Sequence, residues 1–422
     1  MAISSETIAK LERDFAAIVG AAHVRAAIGA ESRCASVVVT PADAGEISEI
    51  VRRCEADRII LAPFGAARTL AEIRLAPAAI AVSLARLDRI VAYEPDDMTV
   101  VAAAGVTLAA LNAATAARGQ WLPVDPPRPE LTTLGAMVAA ARFGPSRLSE
   151  GIVRDLLIGV RFVGHDGRIV HGGGNVVKNV AGYDLMKVMT GSFGTLGIIT
   201  ETTFRVRPLP ARRLIACAGF ADLDSAYAAA ANLHDAVPLL HLEVTSPSVS
   251  AALHIGAGFA VIAGFGGAAP EADYLLVRIP ELLGVNNEIL DGAAAIARYE
   301  RIRDFDLPAS AAVALIAAPP AELPAIIAAT PGEFIAHAGS GVARLFLAAL
   351  DADELGRIVA AIRERARRVR GHVRVMRVAS ELRGEIRRFD DPPAAAMALM
   401  RRMKTTFDPR GIFNPGCFVG GL

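Results

Sequence analysis

The hydrophobic pattern at the start of the chain predicts an α/β unit. Apolar residues over 8–18 recur at helical spacing and predict a first helix. A β-branched run at 37–40, a helix that Asp43 can cap, and an apolar stretch at 59–62 follow in order. Strand, helix, strand and a tight turn at 63–67 form the pattern of a βαβ unit. Open α/β sheets bind ligands at turns of this kind, where a strand ends.

The pattern then changes to short strands separated by turns. Residues 80–106 predict a meander with a hairpin at 94–97, and Thr107 can cap the short helix that follows. Residues 156–163 and 168–171 predict two strands around a turn at 165–167, and 198–206 predicts a further strand. These segments extend the first domain to about residue 210.

Beyond residue 210 the composition becomes richer in alanine. Strands and helices alternate in two similar passes, which predicts an α+β domain with an antiparallel sheet and helices on one face. A last helix over 393–407 precedes the tail F-D-P-R-G-I-F-N-P-G. The predicted domains are therefore 1–210, 211–390 and a C-terminal segment, 391–422, that packs back on the first domain.

Composition excludes several classes of protein. The 422 residues are 53% hydrophobic, with 44 basic and 44 acidic side chains, which argues against disorder and against nucleic-acid binding through phosphate contacts. The four cysteines form no C-x-x-C pair, so neither an iron–sulfur cluster nor a zinc ribbon is encoded. Their scatter is typical of free thiols in a reducing compartment. No segment has the pattern of a signal peptide or a membrane span, and we expect a cytoplasmic protein.

Known nucleotide and hydrolase motifs are absent, and one glycine-rich segment contains most of the chemical signals. The Rossmann, P-loop, zincin and nucleophile-elbow patterns do not occur. Residues 174–201 contain Lys178 and Lys187, two of only four lysines in the chain. These lysines either supply a compact ammonium at a site or lie on a solvated helix face. The glycines of 191–197 either permit close approach to a ligand or form tight turns.

The same segment resembles a known family. K-N-V-A-G-Y-D-L at 178–185, followed by G-S-F-G-T-L-G-I-I-T-E at 191–201, is similar to the FAD-binding domain of the vanillyl-alcohol-oxidase-like (PCMH-type) flavoproteins. The similarity is greatest to the E-subunit branch of the glycolate oxidases. It is strong over 90–210 and 400–418 and weak in between.

The resemblance implies a fold and a cofactor. The expected fold class is α+β: a two-part PCMH-type FAD-binding domain, an α+β cap domain with an antiparallel sheet, and a C-terminal segment that returns to the FAD domain. FAD is expected to bind non-covalently, because the first loop, 63–69, has no histidine. That loop and 132–137 are expected to meet the pyrophosphate, Ile199 the adenine, and 125–133 and 178–184 the flavin.

The residues that the resemblance places at FAD are Gly65, Ala66, Ala67, Arg68, Thr69, Asp125, Thr132, Thr133, Gly135, Ala136, Met137, Lys178, Asn179, Gly182, Tyr183 and Ile199. The chain departs from the family pattern where Ala66, Ala67 and Ala136 replace common glycines. A Cβ at these positions reduces the closeness of a phosphate, although Arg68 can add compensating charge.

The catalytic group is less defined. The second domain lacks the histidine-rich metal motif of the family's catalytic subunits, so no metal is expected. His337, in the stretch H-A-G-S-G, is either a base or a structural histidine. The arginine run over 363–370 is either a solvated helix end or a docking surface.

The sequence therefore predicts the FAD-binding subunit of a glycolate (2-hydroxy acid) dehydrogenase or oxidase complex. Its expected partners are a homologous flavoprotein subunit, an iron–sulfur subunit and a small 2-hydroxy acid substrate, and the complex could dock on a membrane. The alternative is a non-catalytic structural subunit of that complex with a weakened FAD site.

Overall fold

The computed structural model describes residues 5–29, 31–33, 35–66, 78–174, 183–284, 287–379, 382 and 386–422. The chain divides into two compact units. The first unit comprises Met1–Arg142, Ile152–Leu209 and Asp391–Leu422. The second comprises Phe143–Gly151 and Pro210–Asp390. The first unit is therefore built from three separate stretches of sequence.

The elements up to residue 209 are mostly short. The strands are β1 (Val24–Ala26), β2 (Ala35–Val39), β3 (Leu61–Phe64), β4 (Ala78–Ser83), β5 (Ile90–Glu94), β6 (Thr99–Ala103), β7 (Gln120–Trp121), β8 (Leu157–Val163), β9 (Ile169–Gly173), β10 (Ile198–Arg205) and β11 (Arg207–Pro208). The helices are α1 (Ser5–Val19), α2 (Ala44–Asp57), α3 (Leu108–Ala116), α4 (Leu134–Ala139), α5 (Arg147–Glu150), α6 (Val153–Leu156) and α7 (Leu185–Met189). Of these, α5 lies in the second unit.

The elements beyond residue 209 are longer. The strands are β12 (Arg212–Phe220), β13 (His241–Thr245), β14 (Phe259–Gly267), β15 (Asn287–Asp291), β16 (Ala312–Ala317), β17 (Glu333–His337), β18 (Val342–Leu347) and β19 (His372–Val378). The helices are α8 (Leu223–Ala236), α9 (Pro247–Ala252), α10 (Ala269–Leu283), α11 (Gly292–Arg303), α12 (Leu323–Ala328), α13 (Ala352–Arg368) and α14 (Ala394–Phe407).

A four-stranded sheet opens the first unit. Its order is β1-β2-β4-β3, with β2, β4 and β3 parallel and β1 antiparallel at the edge. The predicted helix cap is present, because the Asp43 carboxylate accepts hydrogen bonds from the amides of Gly45 and Glu46 at the start of α2. Such a cap stabilises a helix by about 1 kcal/mol. The parallel strands end at one common edge, where β3 leads into Gly65 and β4 into Leu84.

A five-stranded antiparallel sheet completes the first unit. Its order is β5-β6-β10-β8-β9, and the predicted hairpin joins β5 to β6. Thr107 caps α3 as predicted, by accepting a hydrogen bond from the amide of Ala110. One continuous core joins both sheets with α1, α2 and α4. The fully buried Phe413 adds the C-terminal segment to the same core.

The second unit has an eight-stranded antiparallel sheet in the order β15-β12-β14-β13-β17-β18-β16-β19. The predicted antiparallel α+β architecture is confirmed, but the prediction of helices on one face is wrong. Alternate residues of β12 face two cores: Leu214 and Ala216 pack with α8, α10 and α13, while Ile215 and Cys217 pack with α9 and α11. The uninterrupted apolar run in β12 reflects burial of both faces.

No helix in the described part of the chain combines the length and apolar character needed to cross a membrane. The three cysteines that the structure describes, Cys54, Cys217 and Cys417, are buried and form no disulfide with one another. Cys34 lies outside the described residues.

Candidate functional site

A cleft of about 590 Å³ lies in the first unit, at the edge where the parallel strands end. Five stretches of sequence contribute to it: the end of β3, the residue after β4, the helix α4, the turn leading into β10, and the C-terminal tail. Its lining residues are mostly apolar: Pro63, Phe64, Gly65, Leu84, Gly135, Ala136, Ala139, Ala140, Phe193, Gly194, Gly197, Ile199 and Asn414. A cleft at this edge, with apolar walls and few polar atoms, is typical of a small-molecule or cofactor site.

Two glycines bring the predicted phosphate loops together. A Cβ on Gly65 would collide with the side chain of Thr133, so residue 65 can only approach the second loop as glycine. A Cβ on Gly135 would lie 2.8 Å from the Cβ of Ala104 and 3.1 Å from its carbonyl oxygen. The Gly135 amide donates to that same oxygen at 2.9 Å. The absence of side chains at residues 65 and 135 thus sets the floor of the cleft.

The turn before β10 forms one wall. Gly194 has φ of 68°, and a Cβ there would lie 2.9 Å from both Asn414 Nδ2 and Pro63 Cγ. Phe193 has φ of 54°, a left-handed conformation that is costly for a residue with a large side chain. The Asn414 side-chain amide donates to the Phe193 carbonyl at 2.9 Å, which holds the strained turn in place.

The C-terminal tail is held in the first unit by a short stretch of β-type pairing. The Leu61 amide donates to the Ile412 carbonyl at 2.9 Å, and the Asn414 amide donates to the Leu61 carbonyl at 3.1 Å. The tail therefore runs beside β3 and brings Asn414 to the cleft. Sequence reasoning singled out this tail but assigned no site residue in it.

A buried ion pair fixes the tail to the same turn. Lys404 Nζ lies 2.5 Å from an Asp408 carboxylate oxygen and donates to the carbonyls of Thr195 at 2.8 Å and Phe413 at 2.9 Å. Asp408 also accepts hydrogen bonds from the amides of Ile412 and Phe413, both at 2.9 Å. Burial lowers the pKa of Lys404, and the hydrogen bond and charge of Asp408 oppose that shift. Because these groups satisfy one another, the tail has a single well-defined position against the 192–197 turn.

Three buried polar atoms around the cleft have no hydrogen-bond partner among the described residues: Thr133 Oγ1, Ser192 Oγ and Asn414 Oδ1. Buried polar groups are nearly always paired, because an unpaired one costs about 1–3 kcal/mol. Their grouping around one cleft indicates that a polar ligand belongs there.

The structure brings together only part of the predicted site. Gly65, Gly135, Ala136 and Ile199 line the cleft. Ala67, Arg68, Thr69, Lys178, Asn179 and Gly182 lie outside the described residues. Tyr183 is 92% exposed. The remaining predicted residues are Ala66, Asp125, Thr132, Thr133 and Met137.

These remaining residues have varied surroundings. Met137 packs into the core of the first unit. The Thr132 hydroxyl donates to the carbonyls of Pro127 and Arg128, which shapes the 125–133 loop. Asp125 is buried, and Ala66 is exposed directly after β3. Seven cleft residues lie outside the predicted loops and site residues: Leu84, Ala139, Ala140, Phe193, Gly194, Gly197 and Asn414. The G-S-F-G-T-L-G stretch and the N-P-G of the tail were the available signals.

His337 lies in the second unit, in a buried charged cluster. Its Nδ1 is 3.1 Å from one carboxylate oxygen of Glu243, and His241 Nδ1 is 2.6 Å from the other. Burial alone would raise the pKa of Glu243, but the charges and hydrogen bonds of the two histidines outweigh it and hold that pKa at about 2. His337 is 4% exposed. Within the described residues, no group of three possible ligands could hold a metal ion.

Comparisons with known proteins match this arrangement. Residues 35–173 match the model of an FAD binding domain, and residues 380–417 match the C-terminal domain of FAD linked oxidases. The chain is 43% identical to glycolate oxidase subunit GlcE of Escherichia coli over 29% of this chain and 35% of the relative. It is 30% identical to a mitochondrial D-lactate dehydrogenase [cytochrome] of Arabidopsis thaliana over 49% of this chain and 37% of the relative. The matches thus span little more than a third of each relative's length.

Solved structures share the fold. 4-Ethylphenol oxidase from Gulosibacter chungangensis superposes with a TM-score of 0.71 at 16% identity, covering 98% of this chain and 97% of that one. The predicted two-part FAD-binding fold is therefore confirmed, as are the resemblance and the FAD cofactor. The chain has an FAD-binding domain.

The described residues fit such a cofactor. Gly65 and Gly135 place no side chain in the cleft. The unpartnered hydroxyls of Thr133 and Ser192 can donate to phosphate oxygens or ring nitrogens of a dinucleotide, and Asn414 Oδ1 can accept from one of its hydroxyl or amino groups. All of the cleft residues belong to the first unit, and all but Phe193, Gly194, Gly197, Ile199 and Asn414 fall within the matched FAD-binding region.

Proposed function

We propose that this chain is the FAD-binding subunit of a complex that oxidises glycolate or a related 2-hydroxy acid. The observation that carries the proposal is the cleft lined by Gly65 and Gly135 of the matched FAD-binding domain, with three unpartnered polar atoms at or beside its lining residues. The 43% identity to a glycolate oxidase subunit and the similarity to a D-lactate dehydrogenase both support a 2-hydroxy acid as the substrate class.

When bound, FAD supplies the acceptor for a hydride from the carbinol carbon of the substrate. The chain's own part is to hold that cofactor in one orientation. Gly65 and Gly135 would present backbone without a side chain to the pyrophosphate, and the unpartnered hydroxyls of Thr133 and Ser192, next to the lining residues Gly65 and Phe193, would bind its polar groups. The Lys404–Asp408 pair fixes the wall of the cleft, so little reorganisation is needed when the cofactor enters.

Electrons must leave this chain for another acceptor. The four cysteines are far apart in sequence, and the three that the structure describes are buried singly. We propose that an iron–sulfur subunit and a second, homologous flavoprotein subunit complete the complex, which acts in the cytoplasm or at the membrane surface. The name of the GlcE relative, a subunit of glycolate oxidase, supports this assembly.

One observation favours the second candidate, a structural subunit with a weakened FAD site. His337, the proposed base, is buried and bound to Glu243 rather than free to take a proton from a substrate. In addition, Ala66 and Ala136 stand where glycines are expected in the phosphate loops. This candidate retains the fold and the complex but assigns the chemistry to the partner subunit.

A reconstitution experiment separates the two. The chain is purified alone and together with a metal-motif flavoprotein and a cysteine-rich iron–sulfur subunit, and glycolate oxidation is followed with a dye acceptor. The proposal expects low activity alone and high activity in the complex. The complex is then rebuilt with Gly135→Val in this chain, and the activity should fall with its flavin content. If activity is unchanged when this chain contains no FAD, the structural role is correct.

A further inference from the structure

Asn414 has the geometry of a ligand-binding residue. Its side chain is 4% exposed and lines the cleft. Its Nδ2 donates to the carbonyl oxygen of Phe193 at 2.9 Å, and a carbonyl oxygen can only accept, so the orientation of the amide group is determined. The remaining atom, Oδ1, is buried and has no partner among the described residues. This oxygen requires a hydrogen-bond donor, and the cleft in front of it can supply one.

The backbone keeps this oxygen in a fixed place. Asn414 has φ of 40°, a left-handed conformation that asparagine tolerates better than most residues. Its amide donates to Leu61 at 3.1 Å, and its carbonyl accepts from the Cys417 amide at 3.2 Å. A preorganised acceptor of this kind favours one class of ligand group over another.

The surroundings of Oδ1 favour an aromatic ring. Leu84, Ala139, Ala140 and Ile199, which line the same cleft, are apolar and suited to the face of a flat heterocycle. The donors on the aromatic parts of FAD are the adenine 6-amino group and the flavin N3–H. The cleft also contains the Pro63–Phe64–Gly65 turn, and Asn414 is close enough to Pro63 that a Cβ on Gly194 would touch both. In FAD only a ribose lies between the adenine and the pyrophosphate, whereas a five-carbon ribityl chain lies between the flavin and the pyrophosphate. A group beside the expected pyrophosphate turn is therefore nearer to the adenine than to the flavin.

We propose that Asn414 recognises the adenine ring of FAD, with Oδ1 accepting a hydrogen bond from the 6-amino group. This assignment rests on the FAD-binding role of the cleft and not on any substrate. An oxo group at the same ring position removes the donor and sets two oxygens against each other. The site therefore selects adenine over hypoxanthine by a lost hydrogen bond and by repulsion.

The test compares two flavin dinucleotides on the apoprotein. FAD and its deaminated analogue, which has hypoxanthine in place of adenine, are titrated by quenching of flavin fluorescence, with no substrate present. The parent protein should bind FAD about tenfold more tightly or better, the scale of one hydrogen bond in a buried site. In Asn414→Gly, which keeps the left-handed backbone, the preference should fall to within about threefold. ADP and IDP, used as competitors, should show the same pattern.

Ser192→Ala is the matched control, because it removes another buried unpartnered oxygen, in the turn residue before Phe193. It should weaken both dinucleotides equally and leave the preference intact. Equal binding of the two dinucleotides by the parent protein would overturn the proposal, and this result does not require any variant to fold. The proposal is also wrong if Asn414→Gly weakens FMN binding and leaves ADP binding unchanged, because Oδ1 would then face the flavin. Loss of glycolate oxidation in the complex with normal adenine selectivity would refute the proposed function and not this assignment.

Discussion

Replacement of Lys404 by methionine tests how the C-terminal tail is held. Met keeps the apolar stem but removes the ammonium that bonds Asp408 and the carbonyls of Thr195 and Phe413. The side chains of Lys404 and Asp408 are 12% and 0% exposed, so the variant leaves a buried carboxylate without its counter-ion. Breaking such a pair costs roughly 3–5 kcal/mol.

The expected loss lies at the lower end of that range. Asp408 keeps two backbone N–H donors, from Ile412 and Phe413, and these offset part of the cost. We expect the tail to lose about 3 kcal/mol of local stability, which is roughly a hundredfold increase in its opening constant. Hydrogen exchange of the Ile412 and Phe413 amides measures this opening directly and does not require the two units to unfold together.

Lys187 provides a matched control. Lys187 Nζ also lies 2.5 Å from an aspartate oxygen, that of Asp184, but the two side chains are 54% and 42% exposed. Exposed pairs contribute about 0.5 kcal/mol, so Lys187→Met should change exchange of the nearby Thr190 amide by less than about threefold. The two fold-increases in hydrogen-exchange rate are then compared: that of the Ile412 and Phe413 amides in Lys404→Met, and that of the Thr190 amide in Lys187→Met. If the first is no larger than the second, burial does not make the Lys404–Asp408 pair stronger than an exposed pair.

Three further outcomes are expected. Glu243 has a folded-state pKa of about 2 against its ordinary 4.5, so between these pH values the unfolded chain binds a proton that the folded chain does not. The stability that Glu243 contributes should therefore be lost as the pH falls from 4.5 toward 2. In Glu243→Gln, the free energy of unfolding, monitored by circular dichroism, should depend less on pH over this range. Gly135→Val should weaken FAD binding by about 2–3 kcal/mol in a flavin fluorescence titration, because the valine side chain displaces the loop from Ala104. Gly356→Ala is the control and should leave FAD binding unchanged, because a Cβ at residue 356 meets nothing within 4 Å. Burial raises the pKa of the Cys217 thiol to about 11, so this thiol should react with a disulfide reagent at pH 8 only after denaturation, and fast reaction in the native protein would contradict its placement.

Local features of the fold could be predicted from the sequence. The caps at Asp43 and Thr107 and the turn between β5 and β6 depend on residues two to four positions apart, so their signals lie within one short segment. The apolar run in β12 is also present in the sequence, but the predicted sheet has helices on only one face. Because both faces of that strand are buried, the run lacks alternation, and this is the pattern that indicates helices on both faces.

The candidate site was less accessible to sequence reasoning. Asn414 meets Phe193 across 221 residues, and Lys404 meets Thr195 across 209 residues. No local pattern specifies contacts at such separations. The resemblance indicates Gly65, Gly135 and Ile199, which line one cleft, and it extends to the tail, but it assigns no cofactor contact to the tail residues that complete the cleft.

The flavin content of the purified chain tests the central claim most directly. The account predicts a yellow protein that releases FAD into the supernatant on acid precipitation, at about one FAD per chain, because the cleft holds the cofactor without a covalent bond. Apoprotein made in this way should bind added FAD again. A colourless protein that fails to bind added FAD, or flavin that stays with the acid precipitate, would contradict the account.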